Sequence, residues 1–210
     1  MKPAVVFVHG LYMNGWDMTL LRRRVRDCGF DVYQFSYPSM RHTAEENADD
    51  LQAFISRLPQ QEVHFVCHSL GGLVIRHLFH RYPQRPGRVI TLGTPHHGSE
   101  VAHFLAGFRA SRWLLGKSTV RALLGGAPEW ITEHEIAGIC GNKRLGVDVL
   151  LRVIKGPNDG TVAVADCQFE AFKQVIILPV SHMHMLFAQS VAAQCCAFLK
   201  TGQFSVCDAA

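Results

Sequence analysis

Three residue types that together turn a hydroxyl into a nucleophile occur along this chain in the order serine, aspartate, histidine, each just beyond an apolar run. Ser69 closes the stretch Val-His-Phe-Val-Cys-His that begins at Val63, Asp159 sits in the turn-rich Gly156-Pro-Asn-Asp-Gly160, and His182 and His184 follow Val175–Leu178. A serine hydroxyl attacks poorly until an imidazole takes its proton, and the imidazole needs a carboxylate to hold its tautomer and favour its cation. The chemistry implied is acyl transfer through a covalent intermediate on Ser69. The negative oxygen formed on the substrate needs donors. The backbone N–H of Leu70, at the start of the helix after the serine, is one, and that of Leu11, after His9-Gly10, is the other.

The surroundings of Ser69 are those of a sharp strand-to-helix turn, in which small residues two before and two after the serine avoid collision. Gly71 supplies the second, with Gly72 behind it; Cys67 stands where a glycine is usual, and as a strand residue reads as a buried packing thiol. Gly10, His68 and Gly71 support the turn, and His9 supports the oxyanion loop through a hydrogen bond. Asp159 is preferred as the acid over Asp166, which sits farther along an extended segment. Asp148, near the beginning of a strand, would face the wrong end of the sheet. Between the two histidines, the loop position of His182 just ahead of a helix starting near Met183 favours it over His184. As general base it must be neutral, so the rate should rise with pH. His64, His68, His96, His97 and His103 fit no common metal-ligand spacing, so no metal and no cofactor is expected.

These side chains need a frame. Val5–Val8, Val32–Tyr37, Val63–Cys67 and Arg88–Leu92 read as strands, and they alternate with helical patterns over Trp16–Cys28, from the Thr43/Glu46 capping box to Pro59, and over Leu70–Tyr82. That cadence predicts a parallel sheet with right-handed crossovers. From about 100 to 146, where Trp113 and Trp130 fall, no strand is convincing. The segment reads as two or three short helices, either a mobile apolar lid over Val101–Trp130 or an excursion replacing a helix of the sheet. Val147–Ile154 and Val175–Leu178 complete the strands, and an apolar helix runs to about Leu199. Reactive groups in such sheets gather beyond the strands' carboxyl ends, and the order Ser, Asp, His is that of α/β-hydrolases.

The 210 residues, 48% hydrophobic and 18% charged, are enough for one domain, 1–210, with a full-sized core. No run approaches membrane-spanning length, and the short apolar N-terminal run lacks signal-peptide features. Seven cysteines without Cys-x-x-Cys spacing predict reduced thiols, no disulfide framework and a cytoplasmic location. The net charge of +4 is mild, and its only dense cluster, Arg22, Arg23, Arg24 and Arg26, reads as a solvated helix face. The sharper reading of these arginines is a patch attracting anionic substrates, lipid headgroups or nucleic acid; of partners, peripheral lipid contact is kept, no nucleic acid is expected, and oligomeric state stays open.

His9-Gly10-Leu11, His68-Ser69-Leu70-Gly71-Gly72, the stretch Gly93-Thr94-Pro95-His96-His97-Gly98-Ser99, Asn158-Asp159-Gly160-Thr161-Val162 and Ser181-His182 together resemble the landmarks of lipase-like α/β-hydrolases. The resemblance spans Val5 to Leu199 and is to small esterase-type members without a large cap; Cys67 is a departure of a tolerated kind. It implies an α/β-hydrolase fold, a mostly parallel sheet flanked by helices, with a short helical insertion. It also implies a serine hydrolase acting on small-molecule or lipid carboxylic esters, with Ser69, Asp159 and His182 as its reacting groups. Acyl transfer or thioester cleavage on the same fold, or a silent hydrolase fold used for binding, are the alternatives.

Overall fold

The computed structural model describes residues 1–108, 115–119 and 122–205. Its strands are β1 (Ala4–Val8), β2 (Asp31–Phe35), β3 (Val63–His68), β4 (Val89–Leu92), β5 (Ile136–Gly141) and β6 (Phe172–Leu178). They form one sheet in the order β2-β1-β3-β4-β5-β6, every pair parallel. The helices are α1 (Thr19–Asp27), α2 (Ala44–Ile55), α3 (Leu70–Arg81), α4 (Glu100–Ala106), α5 (Val147–Leu151), α6 (Val164–Cys167) and α7 (Gln189–Thr201).

Strand β1 shows why a parallel sheet reads as a continuous apolar run: all five of its residues are buried, because both faces are covered. Val5 and Phe7 pack with Leu21 and Val25 of α1 and Phe198 of α7. Ala4, Val6 and Val8 pack on the opposite side with Leu51 and Ile55 of α2 and Val74 of α3. Each such fully buried side chain contributes about 1.5–3 kcal/mol. The capping box forms as expected: Glu46 N–H donates to Thr43 Oγ1 at 3.2 Å, and Thr43 N–H donates to the Glu46 carboxylate at 2.8 Å.

The structure corrects the reading of the second half. A strand does lie inside the presumed helical insertion: β5 is Ile-Ala-Gly-Ile-Cys-Gly, and its glycines hid it. Gly138 is required there, since a Cβ would lie 2.3 Å from the Phe172 ring on β6. With that slot in the sheet filled, Val147–Ile154 is not a strand. Its first five residues form α5, and the Asp148 carboxylate then accepts the Val153 and Ile154 N–H groups, both at 2.8 Å, closing the turn behind the helix. Asp148 is therefore a buried loop organiser rather than a group at a strand's beginning. The closing helix also starts later than expected: a 3₁₀ turn spans His184–Leu186 and α7 opens at Gln189.

The cysteines give a further correction. Cys28, at the end of α1, is disulfide-bonded to Cys196 of α7, 168 residues away. The expectation of thiols alone came from spacing, which carries no information about partners brought together by packing, and the pairing removes the ground on which a cytoplasmic location was expected. Cys67, Cys140, Cys167 and Cys195 are buried free thiols. Among the described residues no helix is long and apolar enough to cross a membrane.

Candidate active site

Strand β3 ends at His68, and α3 begins at Leu70, leaving one residue to make the turn. Ser69 takes it with φ 52° and ψ −121°, a conformation that costs a non-glycine residue about 1–3 kcal/mol. The neighbours hold it there. Ser69 N–H donates to the Leu92 carbonyl at 2.9 Å, and the Ser69 carbonyl accepts from Gly72 N–H at 3.1 Å and Thr94 Oγ1 at 2.8 Å. Such a tight turn brings the start of α3 onto β1: a Cβ on Gly71 would lie 2.4 Å from the Val8 carbonyl oxygen. Only glycine fits. Leu70, opening α3, presents an N–H with no carbonyl a turn upstream.

Asp159 follows β5 by way of α5 and is fully buried. The loop is folded around its carboxylate: Oδ1 accepts from Thr161 N–H at 2.9 Å and Val162 N–H at 2.8 Å. Oδ2 accepts from His182 Nδ1–H at 2.7 Å, while His182 N–H donates to the Asp159 carbonyl at 2.9 Å. A carboxylate can only accept, so the proton of His182 sits on Nδ1 and the Nε2 lone pair is left for a proton coming from elsewhere. His182 and Ser69 line the same cleft. His184 is exposed on the 3₁₀ turn, where its carbonyl accepts from Phe187 and Ala188. Asp166 lies on α6, its carboxyl raised above the usual range by burial and by Glu100; the acid beside His182 is Asp159.

The supporting residues take distinct places. His68 Nε2–H donates to the His182 carbonyl at 3.0 Å, and the two rings lie 4.6 Å apart. Burial pushes the His68 pKa well below the ordinary histidine value, as do His182 and His9, so its ring is a neutral prop for the His182 backbone. His9 Nδ1–H donates to the Gly10 carbonyl at 2.9 Å, and Nε2 accepts the Tyr37 N–H at 3.2 Å. The Tyr37 hydroxyl returns a bond of 2.7 Å to the His9 carbonyl, and the rings stack at 4.3 Å. Burial lowers the His9 pKa too, which suits a ring that holds the loop rather than one that exchanges protons. Gly10 N–H points to Met13 Sδ at 3.3 Å, and Leu11 lines the cleft with Gly10.

Other histidines are spread through the fold. His96 is buried in a stack on Phe169 at 4.4 Å with Nε2 against Thr91 Oγ1, and exposed His97 meets Glu170 at 3.3 Å. Among the described residues no group of three or more side chains could hold a metal ion. Three of the four arginines of α1 are engaged along the helix: Arg22 donates to Gln34, Arg24 to the Phe187 carbonyl, and Arg26 faces Asp27; Arg23 is exposed. Cys67 is buried, which pushes its thiol well above the usual range.

Two residues quoted only as landmarks have specific jobs. Gly93 has φ +56°, and a Cβ there would stand 3.0 Å from both Asp159 Oδ2 and His182 Nδ1. Thr94 holds the Ser69 carbonyl. A glycine at a strand's end is the sequence signal for the first; nothing in one sequence announces the second.

The cleft has a volume of about 400 Å³. Ser69, His68 and His182 line it, together with an apolar wall of Leu11, Val101, Ala102, Leu105, Leu115 and Leu123. These wall residues belong to the stretch expected to act as a lid. Trp113 lies outside the described residues, and Trp130 stacks on Phe79 at 4.7 Å, in the core cluster of α2 and α3.

A family model described as "Domain of unknown function (DUF7379)" matches residues 1–119. A pimeloyl-[acyl-carrier protein] methyl ester esterase of Vibrio campbellii is 33% identical over 98 residues, 44% of this chain and 37% of that protein; the chain thus spans little more than a third of this relative's length. The mature form of the Bacillus licheniformis lipase BlEst2 superposes with a TM-score of 0.76 at 22% identity, covering 95% of this chain and 91% of that one. The carboxylesterase CesB of Bacillus subtilis superposes with a TM-score of 0.63 at 13% identity, covering 97% and 85%. The parallel sheet and its flanking helices are thus the α/β-hydrolase fold.

Proposed function

We propose, from the premise that this chain belongs to the DUF7379 family and has the α/β-hydrolase fold, that it is a serine hydrolase cleaving carboxylic esters. Ser69 attacks the ester carbonyl and gives its proton to His182 Nε2. Asp159 holds the Nδ1–H tautomer and favours the cation that forms. The N–H groups of Leu70 and Leu11 receive the oxyanion. The alkoxide leaves with the proton from His182, and water then releases the acid from the acyl-enzyme by the same steps in reverse. The single observation that carries this reading is the 2.7 Å bond to buried Asp159 from His182, which lines one cleft with strained Ser69.

The printed names of the similar proteins, a methyl ester esterase, a lipase and a carboxylesterase, agree on the reaction class. The apolar wall supports a small-molecule or lipid ester whose acyl part is hydrocarbon. The test is labelling with a fluorophosphonate beside hydrolysis of p-nitrophenyl esters from acetate to palmitate. Wild type should label and turn over, and Ser69→Ala should do neither while keeping its melting temperature. Labelling of Ser69→Ala at the wild-type rate would refute the assignment.

A further inference from the structure

The segment from Lys143 to Lys155, which joins β5 to the Asp159 loop, breaks the usual rule for surface composition. Leu145, Val147, Val149 and Leu150 are 64%, 50%, 49% and 85% exposed. Four aliphatic side chains in six residues are left in water, three of them on α5, a helix that buries only Asp148, and Leu145 just ahead of it. Contiguous exposed apolar surface of this kind marks a place where something docks.

The exposed charges of this segment are of one sign. Lys143, Arg144, Arg152 and Lys155 bracket the apolar residues and are all exposed, whereas the segment's one acid, Asp148, is fully buried. Its carboxylate is consumed by the Val153 and Ile154 N–H groups and by Arg144 at 2.8 Å. Lys143, Arg152 and Lys155 are therefore exposed with no exposed acid in the segment, beside exposed aliphatic side chains, which is the composition of an element that lies in an anionic lipid interface. Its position adds to this. Val147 lines the Ser69 cleft, as do Tyr12 and Met183, 60% and 44% exposed. Trp16, on the same loop as Tyr12, is 79% exposed, and such amphipathic rings sit favourably at headgroup level.

We propose that this segment seats the protein on an anionic lipid surface. Leu145, Val149 and Leu150 enter the boundary between headgroups and acyl chains, Lys143, Arg152 and Lys155 meet the lipid phosphates, and Tyr12 and Trp16 complete the apolar rim. The docking itself is independent of the hydrolase reading; only its use, presenting the mouth of the cleft to the lipid layer, rests on it. The Asp148 N–H donates to the Gly160 carbonyl at 2.8 Å, so the docked element is also tied to the loop that carries Asp159.

Co-sedimentation with vesicles tests this, using phosphatidylcholine alone and phosphatidylcholine mixed with phosphatidylglycerol. Wild type should bind the mixed vesicles, more weakly in high salt, and the neutral ones poorly. Leu150→Asp should weaken binding at least tenfold, and Lys143→Gln and Lys155→Gln about fivefold each. All three variants should hydrolyse soluble p-nitrophenyl acetate like wild type, because none of these side chains lines the cleft. Ser69→Ala should bind vesicles fully, which supports the docking surface whether or not esters are turned over. Equal vesicle binding by wild type and Leu150→Asp would overturn the proposal. So would a wild-type dimer in analytical ultracentrifugation that Leu150→Asp dissociates, together with no vesicle binding, since the occupant would then be a second copy of the chain.

Discussion

His182 is held at three points: its ring by the Asp159 carboxylate, its N–H by the Asp159 carbonyl and its carbonyl by His68. A group placed this firmly loses its usefulness when one contact changes the proton it carries. Asn in place of Asp159 can offer an N–H to Nδ1 and so stabilise the wrong tautomer. Asp159→Asn should therefore lower turnover of a soluble ester by about 10⁴-fold, the scale of that substitution in serine proteases, with the fold retained. Asp166→Asn should leave turnover nearly unchanged, and a loss there with Asp159→Asn active would move the acid to α6. The same contrast separates the two histidines. Single-turnover release of p-nitrophenol should vanish in His182→Ala and persist in His184→Ala, whose side chain is on the exposed face of the 3₁₀ turn.

At the scale of elements, the site is a set of junctions in which a helix or loop approaches a strand end more closely than a side chain allows. The turn between β3 and α3 needs Gly71 against β1, and the end of β4 needs Gly93 against the Asp159–His182 pair. Gly93→Ala introduces a Cβ 3.0 Å from both partners at φ +56°. The left-handed conformation alone costs a residue with a Cβ about 1–2 kcal/mol, and the contact is relieved only by moving the pair. Circular dichroism should show the sheet intact while fluorophosphonate labelling slows by more than tenfold; labelling at the wild-type rate would show that the pair tolerates the displacement.

The molecule as a whole is closed by the Cys28–Cys196 bond, which joins the first helix to the last across one face of the sheet. Closing a loop of 168 residues removes unfolded-state entropy worth about 5 kcal/mol in the chain-entropy view. Paired Cys28→Ser and Cys196→Ser substitutions should lower the urea midpoint accordingly without changing turnover below the transition, and an unchanged midpoint would mean that the bond adds nothing to stability. A second whole-molecule property is acid sensitivity. Burial, together with Arg88, pushes the pKa of His64 down to about 4, and its Nδ1 accepts the Arg88 N–H at 2.9 Å. The unfolded chain takes up that proton near ~6.5, so between there and about 4 the unfolded state holds more protons and stability falls as the pH falls. His68 acts in the same direction. The melting temperature should decline over this window, and less steeply in His64→Gln; an equal slope would assign the acid sensitivity to other groups.

What the sequence alone determined is what local pattern can carry. Strands buried on both faces print as apolar runs, so β1, β3 and β4 were legible, and the half-exposed edge strands β2 and β6 were legible from their β-branched and aromatic content, as were the α2 capping box and the sharp turn at Ser69. Ser69 and His182 do follow the strands read ahead of them, whereas the strand read just ahead of Asp159 is a helix, and Asp159 follows β5 by way of α5. The tertiary structure decided what depends on partners distant in the chain. Strand β5 was hidden by glycines whose need arises only from neighbours distant in the chain, the Phe172 ring at Gly138 and the Val180 carbonyl at Gly141. The apolar run at 147–154 looked like a strand because exposure of its valines and leucines is not written in their identity. Cys28 and Cys196 became a pair only when α1 and α7 packed on the same face. The sequence already favours Asp159 over Asp166, but the 2.7 Å contact of Asp159 with His182 across 23 residues is a distance that packing sets and spacing cannot.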